Sequence, residues 1–261
     1  MEKTSKTTSN KFAPSRSRFE GMKRVLTFNA GAYSAAAGTI ACAIGLSKQK
    51  GVPRVWRSIA SLAAALTTYQ TLASLIASHW VYDLSPLHYW RWLAEIVPDP
   101  KTILNVVAGY DETTISLQRT YPAAKVNVVD FYGDLGKRES SIRRAQKLFP
   151  TQGNPVSRNL TGWTLEDHSI DLVLLAFAAH EVRDRERRAQ LFEEASRVLR
   201  ADGAIVLVEH LRDKQNFLAY GPGFMHFLPE TEWLKCASAA NLKVRKKFNI
   251  TPFVAVFVLC L

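Results

Sequence analysis

Cysteine is scarce and unpatterned. Cys42, Cys236 and Cys260 lack the paired spacing of a disulfide framework or a thiolate zinc site. Disulfide scaffolding is therefore set aside, and a reducing compartment is the simpler setting. Internal repeats are absent too, which removes the solenoid and propeller architectures. The composition of a disordered chain is also missing. Of 261 residues, 47% are hydrophobic and 22% charged, enough for one large domain with a full core, or a domain plus an appendage.

Acidic residues are rare at one end only. The net charge is +11, but residues 1–57 hold eleven Lys/Arg against Glu2 and Glu20. The remaining 204 residues hold 23 basic and 21 acidic groups, so the main body is nearly neutral. The basic excess lies beside two stretches without charge, 23 residues from Val25 to Ser47 and 25 from Ser58 to Tyr82. That placement points to anionic lipid rather than nucleic acid. Each stretch is long enough to cross a bilayer core, which takes about 20 apolar residues. Small residues four apart (Gly31 and Ala35, Ala60 and Ala64, Ala73 and Ala77) allow two helices to approach closely.

Four regions follow. Residues 1–24 read as a disordered basic tail, 25–82 as a membrane-associated helical hairpin, 83–100 as an aromatic linker or lid, and 101–261 as an α/β domain. Seven Lys/Arg in the tail against four in the hairpin loop favour a cytoplasmic face for the tail and the domain. Trp80, Tyr82, Tyr89, Trp90 and Trp92 are expected to form an interfacial belt.

From Lys101 the pattern alternates. Short apolar runs at 102–108, 124–130, 171–177 and 204–209 read as strands, and 111–121, 140–149, 184–200 and 231–240 as helices. Asp111 and Asp184 stand at helix caps and Gly203 just past a helix end. Two last strands, 242–250 and 253–261, follow, and the final run FVAVFVLCL is apolar on both faces, as for a strand inside a sheet. The expected sheet is mostly parallel, with a C-terminal antiparallel strand and helices on both faces. Residues 211–228, rich in aromatics with a Gly-Pro-Gly bend, suggest a lid over a greasy substrate.

Ligands of such sheets bind at the carboxyl ends of strands. Those ends carry Ala108-Gly109-Tyr110-Asp111, then Asp130, then Phe177-Ala178-Ala179-His180-Glu181, then Glu209-His210. Asp130, about 20 residues beyond Gly109, suits a ribose hydroxyl pair. Three readings stand for the two His/Glu pairs: His180 as a general base, with His210 next in line, a metal site, or ion pairing with Arg183 and Arg212. No set of ligands is assigned to a metal. His79, His88 and His168 read as structural.

These segments together resemble the class I S-adenosylmethionine-dependent methyltransferases, in the branch that includes quinone-biosynthesis enzymes. ILNVVAGYDET stands at the glycine-rich first motif, VNVVDFY at the second, NLTGWTLEDHSIDLVLLAFAAHEV at the third and fourth, and EEASRVLRADGAIVLVEHLRD at the fifth strand. The first motif departs from the family pattern. Its acid position is Asn105, and its glycine positions read Val107, Gly109 and Asp111. Asp111 would attract the cofactor's ammonium or repel its carboxylate. The resemblance implies a Rossmann-like fold over residues 80–261, S-adenosyl-L-methionine as cofactor, and cofactor contacts at Asn105, Ala108, Gly109, Tyr110, Asp111, Asp130, Phe131, Asn159, Leu160 and Ala176. Trp163 and Phe131 would flank the adenine. His180, His210 and Glu181 are the expected catalytic groups. The implied activity is methylation of a lipophilic small molecule, a quinone precursor or lipid-like phenol, by a membrane-anchored enzyme with lipid as its other partner. A quinone-modifying relative that transfers an amino group, and a non-catalytic membrane scaffold, are the alternatives. The sequence carries no sign of oligomeric state.

Overall fold

A computed structural model describes residues 17–136, 138–151 and 154–261, with the backbone alone at His88. The expected tail therefore lies outside the described residues over 1–16. Its last part is not disordered. Residues Glu20–Phe28 form helix α1, because the Asp83 carboxylate accepts the backbone N–H groups of Gly21 (2.6 Å) and Met22 (3.0 Å) at the helix start. An anion there satisfies two donors that a helix leaves unpaired. The fit is tight, since a Cβ on Gly21 would fall 2.4 Å from Cβ of Tyr82.

The first uncharged stretch breaks at Asn29, whose side chain turns back to the Val25 carbonyl. Helix α2, Ala30–Lys48, then pairs with α3, Arg54–His79, as a hairpin. No residue of α2 is buried. Along α3 an unbroken apolar stripe, Val55, Ile59, Leu62, Leu66, Tyr69, Leu72, Ile76 and Trp80, stays exposed. Its three- and four-residue steps place it on one helical face. The other face of α3 packs on the domain, where Gln70 donates to the Ala219 carbonyl at 2.8 Å.

A π-turn at Trp80–Leu84, a 3₁₀ turn at Pro86–Tyr89 and helix α4, Arg91–Ile96, link the hairpin to the sheet. The expected aromatic belt is not there. Trp90 is buried in the core and Tyr82 points inward, while Trp92 packs on Phe248. Of the five, Trp80 and Tyr89 are the exposed ones.

The sheet has strand order β2-β1-β3-β4-β6-β5. Strands β1 (Thr102–Val107), β2 (Lys125–Asp130), β3 (Ile170–Ala176) and β4 (Leu199–Glu209) are parallel. Strand β6 (Val254–Cys260) runs antiparallel between β4 and β5 (Lys243–Thr251), and all but its last residue are buried. The apolar-on-both-faces pattern placed it inside the sheet correctly. Strand β5 is the edge, and its Lys-rich exposed face protects it from further pairing.

Helices α5 (Thr114–Thr120), α6 (Ser140–Leu148), α7 (Arg185–Val198), α8 (Lys214–Tyr220) and α9 (Glu230–Ala239) complete the layers. Asp184 caps α7 as expected, accepting from the Arg187 N–H at 2.9 Å. Leu191, Ala195, Val198 and Leu199 all enter the core. Gly203 does not stop the helix, which ends at Val198. Strand β4 begins at Leu199, and Gly203 sits within it, where a Cβ would strike Leu199 and the Asp171 carbonyl. The expected loop at 211–228 is largely helical, with α8 followed by a 3₁₀ turn at Gly221–His226.

Candidate active site at the strand ends

The strand ends open into one large cavity of about 650 Å³. Its floor is Ala108, Tyr110, Ala176, Phe177, Ala178, His180, Glu181 and His210. The hairpin supplies its roof, with Tyr33, Ala36, Thr67, Thr71, Ser74 and Tyr82, and α1 closes one side through Arg24 and Phe28. Most of the lining is apolar. A pocket of a few hundred to about 1,000 Å³ holds a ligand of cofactor or drug size.

The first-motif turn is held from within. Gly109 has φ +83°, and a Cβ there would lie 2.6 Å from Tyr132, so this one glycine is required twice over. Asp111 is committed to local structure. Its Oδ1 accepts from the N–H groups of Thr113 and Thr114, both at 3.0 Å, and so caps α5, which begins three residues later than the sequence suggests. Asn105 is wholly buried and its Nδ2 donates to Asp111 (3.2 Å), Thr113 (2.6 Å) and Thr114 (2.9 Å). An acid at 105 would face the Asp111 carboxylate, so the unusual Asn105 and Asp111 explain each other. Both readings of Asp111 toward the cofactor give way to this capping role.

Asp130 is half committed. Its Oδ1 accepts the N–H of Gly109 at 2.8 Å and of Tyr132 at 3.1 Å, which leaves Oδ2 for a ribose hydroxyl. The expected adenine contacts fare differently. Phe131, Leu160 and Trp163 belong to the core and do not line the cavity. The Leu160 N–H is taken by Asp134 at 2.9 Å. Asn159 holds the Trp163 indole through its backbone carbonyl, at 3.1 Å. Apolar packing has claimed Phe131, Leu160 and Trp163, while Asn159 is exposed.

The histidines separate into two kinds. His180 Nδ1 meets Glu209 Oε2 at 2.7 Å and its Nε2 faces Glu181 Oε1 at 3.4 Å. Burial works to lower its pKa, but the two carboxylates, Glu209 foremost, raise it to about 10. A histidine so held is charged at neutral pH, which corrects the expectation of a free base of ordinary pKa. Its charge keeps Glu181 below the usual carboxylate range, against the effect of burial. His210 is the opposite case. Nδ1 lies 2.8 Å from the Phe253 carbonyl and so carries the proton, and Nε2 accepts from the Tyr82 hydroxyl at 2.8 Å. The ring stacks on Phe227 at 4.7 Å and lies 5.2 Å from Phe177. Burial first, with the charges of His180 and His226 adding to it, lowers its pKa to about 4. His210 is therefore neutral, with its Nε2 lone pair taken by the Tyr82 hydroxyl.

Sequence reasoning missed Tyr82, which comes from 128 residues away, and His226, which the lid brings against His180 with ring centroids 4.8 Å apart. It also missed Arg24, which reaches Tyr110 at 2.8 Å and Glu112 at 3.3 Å and ties α1 to the first-motif turn. Burial pushes the Tyr110 phenol up. Of the expected structural histidines, His79 meets Asp83 at 2.9 Å and His168 the Leu199 carbonyl at 2.9 Å, and the His88 side chain lies outside the described residues.

Residues 104–207 match the family described as methyltransferase domain. No curated protein matches the chain in sequence. Among solved structures, the chain is similar to human N-acetylserotonin methyltransferase in complex with S-adenosylmethionine, at 14% identity and a TM-score of 0.53, over 94% of this chain and 72% of that one. It is also similar to an S-adenosylmethionine-dependent methyltransferase from Aquifex aeolicus (18% identity, TM-score 0.49, 69% and 94% covered). A third is an O-methyltransferase family 2 protein from Planctomyces limnophilus in complex with apigenin (15%, TM-score 0.48, 93% and 81%). The fold is the Rossmann-like sheet of S-adenosylmethionine-dependent methyltransferases. The match to a methyltransferase domain spans residues 104–207, and S-adenosylmethionine is the cofactor expected of that fold.

The residues present fit that cofactor at the turn. Asp130 Oδ2 is left for a ribose hydroxyl, and Asn105 Oδ1 is a buried acceptor without a hydrogen-bond partner, suited to an ammonium. Both lie behind the cavity wall formed by Val107, Ala108 and Tyr110, and Tyr132 packs against Gly109.

Proposed function

We propose that this chain is a membrane-anchored methyltransferase whose acceptor is a lipophilic small molecule bearing a hydroxyl, such as a quinone precursor or lipid-like phenol. The observation that carries the reading is the shared wall. The same α3 helix that presents an uncovered apolar stripe outward lines the cavity with Thr67, Thr71, Ser74 and Ser78 on its inner side. Two helices, Ala30–Lys48 and Arg54–Leu84, are long and apolar enough to cross a membrane. A greasy acceptor held at that level would enter without crossing water. The excess of basic residues on the tail supports a cytoplasmic domain.

Bound S-adenosylmethionine supplies an electrophilic methyl group on a sulfonium. The turn at Ala108–Tyr110, Asn105 and Asp130 would hold it, and the roof from α1 and the hairpin excludes water. Ala176 and Phe177 border the acceptor space. Tyr82 and His210 handle the proton. The acceptor O–H donates to Tyr82 Oη as the Tyr82 proton passes to His210 Nε2. A base with a pKa of about 4 does not ionise a resting phenol. It takes the proton as the new C–O bond makes the oxygen strongly acidic, while the Phe253 carbonyl steadies the imidazolium through Nδ1. His180, held by Glu209 and Glu181, shapes the field of the cavity.

The test is a comparison of extracted lipid pools by mass spectrometry, with and without the gene. A species one methyl group heavier that depends on the gene supports the reading. Replacement of an oxygen substituent by an amino group would favour the amino-transferring alternative. An unchanged pool together with no heat of S-adenosylmethionine binding in calorimetry would leave a non-catalytic scaffold.

A further inference from the structure

We propose that the lid and the strand ends build a binding site for a divalent first-row transition metal, with Nε2 of His180, Nε2 of His226 and the Glu181 carboxylate as its protein ligands. The three ligand groups present atoms within 4.8 Å of one another. Glu181 Oε1 lies between the rings, 3.4 Å from His180 Nε2 and 3.9 Å from His226 Nε2. All three line the cavity, which leaves open coordination positions facing the space where an acceptor would lie.

The outer shell is the stronger observation. Metal-binding histidines commonly have their second ring nitrogen held by a carboxylate, which fixes the ring and raises its basicity. Here both rings have that partner. Glu209 holds His180 Nδ1 at 2.7 Å and Glu139 lies 3.0 Å from His226 Nδ1. Both Nε2 atoms are thereby aimed at one carboxylate. The charges agree. Three carboxylates, Glu139, Glu181 and Glu209, face the Arg183 guanidinium and the protonated His180, and a dication that displaces the His180 Nε2 proton to solvent meets two net negative charges. Two imidazoles and one carboxylate suit zinc, cobalt(II) or manganese(II) better than magnesium or calcium. Arg183 NH2 contacts His226 Nδ1 as well as Nε2 (3.1 Å), and its NH1 donates to the His226 carbonyl at 2.6 Å, so metal binding requires the partly exposed guanidinium to leave the ring for Glu139 and solvent. The sequence hides this site because His226 lies 45 positions beyond Glu181, with no ligand spacing of its own.

Binding itself does not depend on the methyl-transfer reading, and its test needs no turnover. The full chain in detergent is titrated with Co²⁺, followed by the visible absorption of the ion and by equilibrium dialysis, and then with Zn²⁺ in competition. One equivalent should bind, with the spectrum of a four- or five-coordinate ion that Zn²⁺ displaces. Glu139→Gln, at a half-exposed position, should weaken binding about 10–100-fold through the outer shell. His226→Ala should weaken it further. Arg183→Gln, which removes the competing cation, should tighten it. His210→Gln should leave it unchanged. Failure of the wild-type chain to bind one equivalent would overturn the proposal. So would equal affinity in the wild type, His226→Ala and Glu139→Gln.

Discussion

Helix α3 and strand β6 are both apolar and meet opposite fates. Every residue of β6 but Cys260 is buried, because sheet neighbours cover its edges and helices its two faces. Helix α3 buries Ala60, Ala64, Ala77 and Ser78, and leaves Val55, Leu62 and Ile76 outward at 67%, 59% and 67% exposure. At roughly 25 cal/mol per Å² of apolar surface, leaving a row of large side chains in water forfeits several kcal/mol. The difference teaches that hydropathy marks what must be covered, and the fold shows which part the chain covers by itself. On the proposed reading, lipid covers the rest, and the inner face of the same helix becomes the roof of the cavity.

That comparison is most easily broken by removing the hairpin. A chain beginning at Ser85 loses Tyr82, α1 and the roof, and should be largely soluble but transfer no methyl group above background. Retained activity on a lipophilic acceptor would separate the hairpin from the site. Next in size is the proton-handling pair. His210→Gln should lower turnover about 10²–10⁴-fold, the usual span for a lost acid–base group, with cofactor affinity kept. If His180→Gln has that effect and His210→Gln does not, the assignment is reversed.

The buried His210 also predicts a pH dependence of stability. Its pKa falls to about 4 in the folded chain from the ordinary value of about 6.5. Unfolded chains therefore bind the proton first. The stabilising contribution is complete above about pH 6.5 and is lost as pH falls toward 4, on the order of 2–4 kcal/mol. Chemical denaturation across that range should show the loss, and His210→Gln should flatten the profile. The smallest effect is expected at the cofactor. Asp130→Ala should weaken S-adenosylmethionine binding by about 1.5–3 kcal/mol, the range for hydrogen bonds to a charged group. Because Asp130 Oδ1 also holds the Gly109 N–H, some thermal stability should go with it. Unchanged affinity would end the ribose assignment.

Much of the frame was legible beforehand. The strands, the inside position of the last run, the Asp184 cap and the grouping of His180, Glu181, Glu209 and His210 at the sheet's carboxyl edge all follow from periodicity and parallel topology. What stayed hidden depends on long-range packing. Nothing local tells that Tyr82 turns inward to His210, that Trp90 enters the core, or that His226 folds back on His180. Side-chain competition was equally invisible. Asp111 is used up as a cap, and Leu160, Phe131 and Trp163 are claimed by packing rather than by a ligand.

The most direct measurement places the full chain in lipid nanodiscs with methyl-labelled S-adenosylmethionine and a membrane-soluble phenol, and follows label into the organic phase. The account predicts label in the extracted phenol, dependent on the protein, nearly lost in His210→Gln, and absent for the chain beginning at Ser85. Label that reaches only water-soluble acceptors, or transfer that proceeds equally without the hairpin, would contradict it.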